Sequence, residues 1–332
     1  MNAAEVVAEA RRRGVTLVRF EYCDVSGVAR CKAVHVTRLE HKLVEGVNLT
    51  RAQMAINLLE QVVPVEGMEP VGEIRLVPDP TTFSVLPWVP ATASVLCDQL
   101  DHDRRDWGAC PRTYLKDVLA HAAEEGVSIR AAFENEFYLA REQDGRYVPF
   151  DAPGHAPVYS PIGHDVSAEV VLEMVDALEA QGMPVEHAIN EYGPGQQEIA
   201  IRHADGLRAA DSQMKFRDTV RGVAWRHGLL ASFAAKPFPE QIGSGAHVHL
   251  SLWDAESGRN LLYDPAADGG LSVLGRRFIA GLTEHLPALT ALTTPSFNSF
   301  RRLRPSTWAA ATTAWGFDNR EAAVRVCSPF YS

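Results

Sequence analysis

Residues 243–252 read Gly-Ser-Gly-Ala-His-Val-His-Leu-Ser-Leu. Side chains alternate between the faces of a β-strand, so His247 and His249 point the same way if this stretch is extended. Glu134 and Glu136 have the same spacing in Glu-Asn-Glu, and Glu191 and Glu198 flank a Pro194-Gly195 turn. Carboxylates set side by side raise one another's pKa, and strands seldom turn them inward without a cation. Glu134, Glu136, Glu191, Glu198 and His247 offer four hard oxygen donors and one imidazole. That set suits Mg2+ or Mn2+ better than zinc, which favours His and Cys in small closed sites. Each motif alone has a plainer reading: a bare His-x-His is more often a satisfied or exposed pair, and Glu-x-Glu is routine on strand edges. Their concurrence in one domain carries the metal reading. Cations in a carboxylate-lined site are a common device for holding ATP phosphates and stabilising their transfer.

Arginines form the second group. Arg301, Arg302 and Arg304 follow Asn298-Ser299-Phe300, and Arg320 and Arg325 come later. Alone they would read as a solvated basic face. Beside a metal–carboxylate site, guanidinium groups suit a substrate carboxylate and transferring phosphoryl oxygens.

These residues need strands to carry them. Alternation predicts strands over 16–22 and 29–36 joined by a turn at Asp24 to Gly27, and short strands among the prolines of 62–98. The polar stretch 101–106 is the expected linker. Beyond it we expect a helix over 112–125, a strand over 129–140 bearing Glu134 and Glu136, and a helix over 167–181 capped by Ser167. A hairpin over 185–201, a helix over 207–227, strands over 230–235 and 246–253, and a helix over 271–292 follow. Residues 312–317 and 322–326 read as a last hairpin around Asp318-Asn319. Hairpins and helices mix without βαβ alternation, which predicts an α+β fold with a largely antiparallel sheet. The expected domains are 1–100 and 107–332.

The chain has 332 residues, 46% hydrophobic and 22% charged, as in an ordinary globular protein. Its formal charge of -10 argues against a nucleic-acid partner, which would want a basic face. No apolar run reaches membrane-spanning length, and no signal-peptide core is present. Five cysteines without a Cys-x-x-Cys read as reduced thiols in a cytoplasmic protein, a Cys23–Cys31 disulfide being the other possibility. No Walker or dinucleotide loop occurs.

Four motifs in order carry a resemblance: Phe133-Glu134-Asn135-Glu136-Phe137, then Glu191-Tyr192-Gly193-Pro194-Gly195-Gln196-Gln197-Glu198, then residues 243–249, then Asn298-Ser299-Phe300-Arg301-Arg302-Leu303 with Asn319-Arg320 and Val324-Arg325. Together they resemble the glutamine synthetase family, and the resemblance runs from end to end. Residues 18–24 and 77–83 are similar to that family's small β-grasp-like N-terminal domain. The resemblance implies a catalytic domain with a curved, largely antiparallel sheet flanked by helices. It implies ATP-dependent ligation of an amine to the γ-carboxylate of glutamate through a γ-glutamyl phosphate. By position, Glu136, Glu191 and Glu198 would hold one divalent ion, Glu134 and His247 a second. Glu186, His249 and Ser251 fall where the family contacts ATP, Arg325 near the phosphates, and Gly243 where backbone meets glutamate. Arg302 and Arg320 would bind substrate carboxylate and transferring phosphate. A homo-oligomer with sites between subunits is implied as well.

The sequence departs from the family in three places. Trp308 stands where the family has an acidic flap residue, so it would line a pocket for a bulkier amine instead of acting as a base. Thr50 stands where an N-terminal Asp serves a neighbouring subunit's ammonium site. Both changes point to an organic amine or polyamine in place of ammonia. The third is the end at Ser332, where the family continues into a strand with a further metal-ligand Glu. That leaves open an impaired member that binds nucleotide or assembles with a full-length homologue. The resemblance also leaves open a different phosphoryl transfer to a carboxyl or guanidino group, because the fold is shared with guanidino kinases.

Overall fold

The computed structural model of this chain describes residues 1–328. Pro329 to Ser332, on which the expectation of a missing strand rests, lie outside the described residues. The chain forms two units, each assembled from separate stretches: Met1–Ala122, Met174–Met183 and Gly206–Gly222 make one, Ala123–Glu173, Pro184–Asp205 and the described part of 223–332 the other.

In the first unit, helix α1 (Ala3–Arg12) starts with a capping box between Asn2 and Glu5. Strands β1 (Leu17–Cys23) and β2 (Ala29–His35) pair antiparallel. Their turn is locked by Asp24, whose Oδ1 accepts the N–H of Ser26 and of Val28 at 2.9 Å. Gly27 in the turn has a φ of 76°, a conformation that glycine adopts without steric cost. After α2 (Leu39–Glu45) come β3 (Val47–Thr50), β4 (Glu73–Pro78), β5 (Ser84–Val85) and β6 (Thr92–Leu100). The sheet runs β2-β1-β6-β4-β3, with β1 parallel to β6 and every other pairing antiparallel. Val18, Phe20 and Tyr22 on one face of β1 are buried with Val6, Val7 and Ala10 of α1 and with Leu39 and Leu43 of α2. Each of the Val, Leu and Phe side chains among them contributes about 1.5–3 kcal/mol by leaving water. The expected linker, 101–106, is a tight turn in which Asp101 Oδ1 accepts the N–H of Asp103 and of Arg105. All five cysteines are free, and the β1–β2 register sets Glu21, not Cys23, opposite Cys31.

Two helices belong in part to each unit: α4 (Pro161–Ala180) and α5 (Gly206–Arg226), while α3 (Pro111–Glu124) lies almost wholly in the first. Helix α4 begins six residues before Ser167. Pro161 fits the first turn, where its missing N–H costs nothing, and Ser160 Oγ takes the Gly163 N–H at 3.3 Å. Ser167 sits inside the helix and bonds back to the Gly163 carbonyl at 3.1 Å.

The second unit is organised around one long strand, β7 (Val127–Gln143). β8 (Arg146–Pro149), β10 (Gln196–Ile201), β11 (Ala204–Asp205), β12 (Leu230–Ser232) and β13 (Ala246–Asp254) all pair with it antiparallel, and β9 (Val185–Asn190) pairs with β10. The fold is α+β, as the sequence predicts. Helix α6 (Val273–Thr293) is capped by Ser272, and α7 (Phe297–Arg302) by Ser296. β14 (Thr312–Phe317) and β15 (Ala322–Val326) overturn the expected last hairpin, because they pair in parallel, Trp315 opposite Val324 and Phe317 opposite Val326. Asp318, at a φ of 48°, donates its N–H to the Val326 carbonyl at 2.9 Å and accepts the Ser328 N–H at 3.0 Å. The turn residue is therefore tied to the far end of β15, an alignment that a hairpin does not allow. Among the described residues no helix is long and apolar enough to cross a membrane.

Candidate active site on the long strand

Strand register gathers the predicted acids. On β7, Glu136 stands opposite Glu198 of β10, and Glu134 stands opposite His247 of β13. Period-two alternation puts Glu134 and Glu136 on one face. Antiparallel pairing on both sides of β7 then brings in Glu198 and His247. Donor atoms of Glu134, Glu198 and His247 lie within 4.8 Å of one another. Ligands about 2.0–2.6 Å from one cation are separated by no more than about 5 Å, so the donor set fits a hard divalent ion in both chemistry and spacing.

The electrostatics differ from one carboxylate to the next. Glu134 Oε2 receives His247 Nδ1 at 2.8 Å and His249 Nε2 at 3.2 Å, and those bonds hold its pKa well below the usual carboxylate range. Arg325 Nη2 stands 4.0 Å from the same oxygen. Glu198 is 4% exposed. Burial, followed by repulsion from Glu134, Glu136 and Glu191, pushes its pKa up to about 8, and Arg320 only partly offsets this. Burial and the Glu136 charge raise Glu191 too. His249 is raised to about 9 by its bonds to Cys327 and Glu134. A buried acid with its pKa raised by three neighbouring carboxylates lacks a neutralising charge, and a bound cation would supply one.

Glu136 is fixed from several sides. Its carboxylate accepts Gln196 Nε2 at 3.0 Å and the Gly245 N–H at 2.9 Å. Gln196 Nε2 also reaches the Gly243 carbonyl at 3.1 Å and Ser244 Oγ at 3.3 Å. Arg302 arrives from α7, which is anchored by reciprocal bonds between Asn298 and the Lys236 backbone, 2.6 and 2.8 Å long. It packs so close that a Cβ on Gly243 would stand 2.6 Å from Arg302 Cγ, and one on Gly245 2.9 Å from Glu136 Oε1. At Gly243 a Cβ would also meet the Ala235 carbonyl oxygen at 2.7 Å, and at Gly245 it would displace the Glu136 carboxylate. Burial lowers the Arg302 pKa while Glu136 opposes the shift.

Glu134, Glu136, Glu191, Glu198, His247, His249, Arg302, Arg320 and Arg325 thus share one neighbourhood. Ser251 lies two positions beyond His249 on the same face of β13 and accepts Trp253 Nε1 at 2.8 Å. Glu186, on β9, pairs with Arg202 at 3.6 Å. Trp308 is 54% exposed and meets Tyr192 edge-to-face at 5.6 Å. Sequence reasoning missed Gln196, and it missed His187, whose Nε2 is 3.5 Å from Glu198 Oε1. The signal for His187 was available: the β9–β10 register sets His187 opposite Ala200, two positions from Glu198. It also missed Cys327 as a partner of His249, and for that pairing the sequence holds no signal.

Residues 1–111 match the glutamine synthetase N-terminal domain, and residues 108–331 match the glutamine synthetase catalytic domain. The chain belongs to the glutamine synthetase family. Type-1 glutamine synthetase 1 of Dictyostelium discoideum is 32% identical over 344 residues, a match covering 98% of this chain and 68% of that protein. A gamma-glutamylpolyamine synthetase of Streptomyces coelicolor is 35% identical over 329 residues, covering 98% of this chain and 70% of its own. A crystal structure described as a novel glutamine synthase homolog superposes with a TM-score of 0.87 at 33% identity, over 94% of this chain and 72% of that one. Glutamine synthetases are ATP-dependent ligases of glutamate that use divalent metals, and the acidic cluster lies within the part matched to their catalytic domain.

Proposed function

We propose that the chain is an ATP-dependent ligase that joins an organic amine, in preference to ammonia, to the γ-carboxylate of glutamate. The carrying observation is the Glu134–Glu198–His247 donor set, with Arg325 Nη2 4.0 Å from Glu134 and with Arg302 and Arg320 within electrostatic reach of Glu136 and Glu198 respectively. In this reading Glu136, Glu191 and Glu198 hold one Mg2+ or Mn2+, and Glu134 and His247 hold the second. Such ions, when bound, neutralise phosphate oxygens and align them for transfer. Glu186, His249 and Ser251 contact the nucleotide, Arg325 its phosphates, and the Gly243 backbone the glutamate.

A glutamate γ-carboxylate oxygen attacks the terminal phosphorus of ATP, and the bond to ADP breaks. Arg302 and Arg320 hold the carboxylate and the moving phosphoryl oxygens, bidentate donors where charge accumulates. The amine nitrogen then attacks the γ-carbon of the γ-glutamyl phosphate, the bond to phosphate breaks, and the departing inorganic phosphate takes up the proton that the nitrogen gives up. The choice of an organic amine is supported by the indole of Trp308, which cannot accept a proton, and by Thr50, which carries no charge. Family kinship supports a homo-oligomer in the cytoplasm.

The test is phosphate release from ATP, Mg2+ and glutamate across a panel of amines. Release that requires both glutamate and one organic amine supports the ligase. ATP binding without turnover on any amine would contradict it and favour a nucleotide-binding member of the family.

A further inference from the structure

Three rings beside the carboxylates are joined edge to face. Tyr159 meets Tyr192 at 6.0 Å and 77°, and Tyr192 meets Trp308 at 5.6 Å and 80°. The rings are 52%, 42% and 54% exposed, in that order along the chain. Such near-perpendicular junctions make two corners, each lined by ring faces. The middle ring adjoins the acidic cluster: Tyr192 directly follows Glu191 and donates its N–H to that carboxylate at 3.2 Å. Tyr159 lies within electrostatic reach of Glu191, Glu198 and Arg320.

Two of the three rings are held by disfavoured backbone. Tyr159 has a φ of 56° and Trp308 one of 52°, in the left-handed region that bulky residues rarely occupy. Such outliers persist only where their surroundings enforce them. For Tyr159 the enforcing contact is its N–H to the Asn190 carbonyl at 3.2 Å. For Trp308 it is Glu321. One oxygen of that carboxylate accepts the Trp308 N–H at 2.7 Å and the other the Ser306 N–H at 3.2 Å. Ser306 itself has a φ of 62°. Glu321 therefore folds the loop so that the indole lies against Tyr192.

We propose that Tyr159, Tyr192 and Trp308 form the amine-specificity wall of the ligase, with Glu321 as the residue that positions Trp308. This inference rests on the ligase reading above. The chemistry selects a primary amine with an apolar body: its nitrogen near Glu191 and its hydrocarbon across the ring faces. Loop residues 303–311 supply no acid to a second ammonium at the far end, and Glu321 already commits one lone pair of each oxygen to the backbone N–H groups of Ser306 and Trp308.

The experiment combines binding with turnover on the full chain. Benzylamine, 1,4-diaminobutane and ammonium are titrated against tryptophan fluorescence in the presence of Mg2+ and ATP, and each is then assayed as co-substrate with glutamate. Benzylamine is expected to bind about tenfold more tightly than the other two. Trp308→Ala should remove that preference. Glu321→Ala should raise the KM for benzylamine while leaving the KM for ATP and the melting temperature in place, and Glu321→Asp should restore part of the loss. Equal benzylamine affinity in parent and Trp308→Ala, or tighter binding of 1,4-diaminobutane than of benzylamine, would overturn the wall even if turnover is intact. Trp308-dependent binding without turnover of any amine would instead overturn the ligase reading and leave the wall standing.

Discussion

Each unit of the molecule gathers buried and half-buried acids, and the two handle them in opposite ways. In the first, Arg112 reaches Asp98 at 2.6 Å, Asp79 at 2.7 Å and Asp211 at 2.9 Å, and Lys116 adds a second cation on Asp98 at 2.6 Å. Burial works against ionisation of Asp79, but bonds from Thr81 and Arg112 outweigh it and keep its pKa low. The acids of that cluster come with their cations. In the second unit, Glu134, Glu136, Glu191 and Glu198 share a face of β7 and its neighbours, and Glu198 is driven up to about 8. A buried acidic cluster neutralised by its own arginine holds a fold together; one short of positive charge is built for a ligand that brings it.

The largest effect expected from breaking this contrast is on nucleotide binding. Glu198→Gln or Glu136→Gln should weaken Mg2+-dependent ATP binding by about 100-fold or more in calorimetry. The melting temperature of the metal-free Glu198→Gln chain should stay level at pH 7, since the amide stands in for the protonated carboxyl that a pKa of about 8 favours. Unfolding of that variant alongside lost binding would mean that the acids are structural after all. Next comes Arg112→Ala, which takes the cation from Asp79 and Asp211 and leaves Asp98 with Lys116 alone, and should cost about 3–5 kcal/mol in denaturant unfolding. A loss below about 1 kcal/mol would place that network among weak surface pairs.

The smallest effect concerns Glu21, which departs from that pattern within the first unit. Burial and then Asp218 push its pKa from 4.5 up to about 7, against the pull of Lys215 and Arg19 and a bond from Ser94. Lys215 Nζ is committed to Ser84 Oγ at 2.9 Å and to the Thr82 carbonyl. Because the folded-state pKa is raised, the protonated form favours folding. That contribution is complete below pH 4.5 and is lost as pH rises through about 7. Glu21→Gln should therefore flatten the fall in melting temperature across this window. An unchanged pH profile would show that Glu21 does not titrate there.

Much of the acidic cluster is legible in the sequence, because strand alternation is a local rule. Glu134 with Glu136, and His247 with His249, share faces for the same reason that Val18 and Phe20 do. Their meeting also follows once 185–201 and 246–253 are read as strands, although which strand lies beside β7 is a tertiary fact. Local signals fail where long-range bonds decide. Ser167 reads as a cap by type, yet Ser160 and Pro161 start the helix earlier. The Asp318 turn reads as a hairpin until its N–H is traced to Val326. Arg302 reaches Gly243 because Asn298 clasps the backbone of Lys236, 62 positions away. The aromatic row joins residues 159, 192 and 308, whose separation no periodicity announces.

The central claim is that the second unit's acids lack a cation that a metal supplies. Titrating the metal-free chain with Mn2+ at pH 7 by calorimetry, in two buffers of different ionisation enthalpy, tests it most directly. The account predicts saturable binding with proton release, because Glu198, with a pKa of about 8, must ionise to act as a ligand. It also predicts loss of that binding in Glu198→Gln. The absence of saturable binding by the parent, or the same isotherm from the variant, would contradict it.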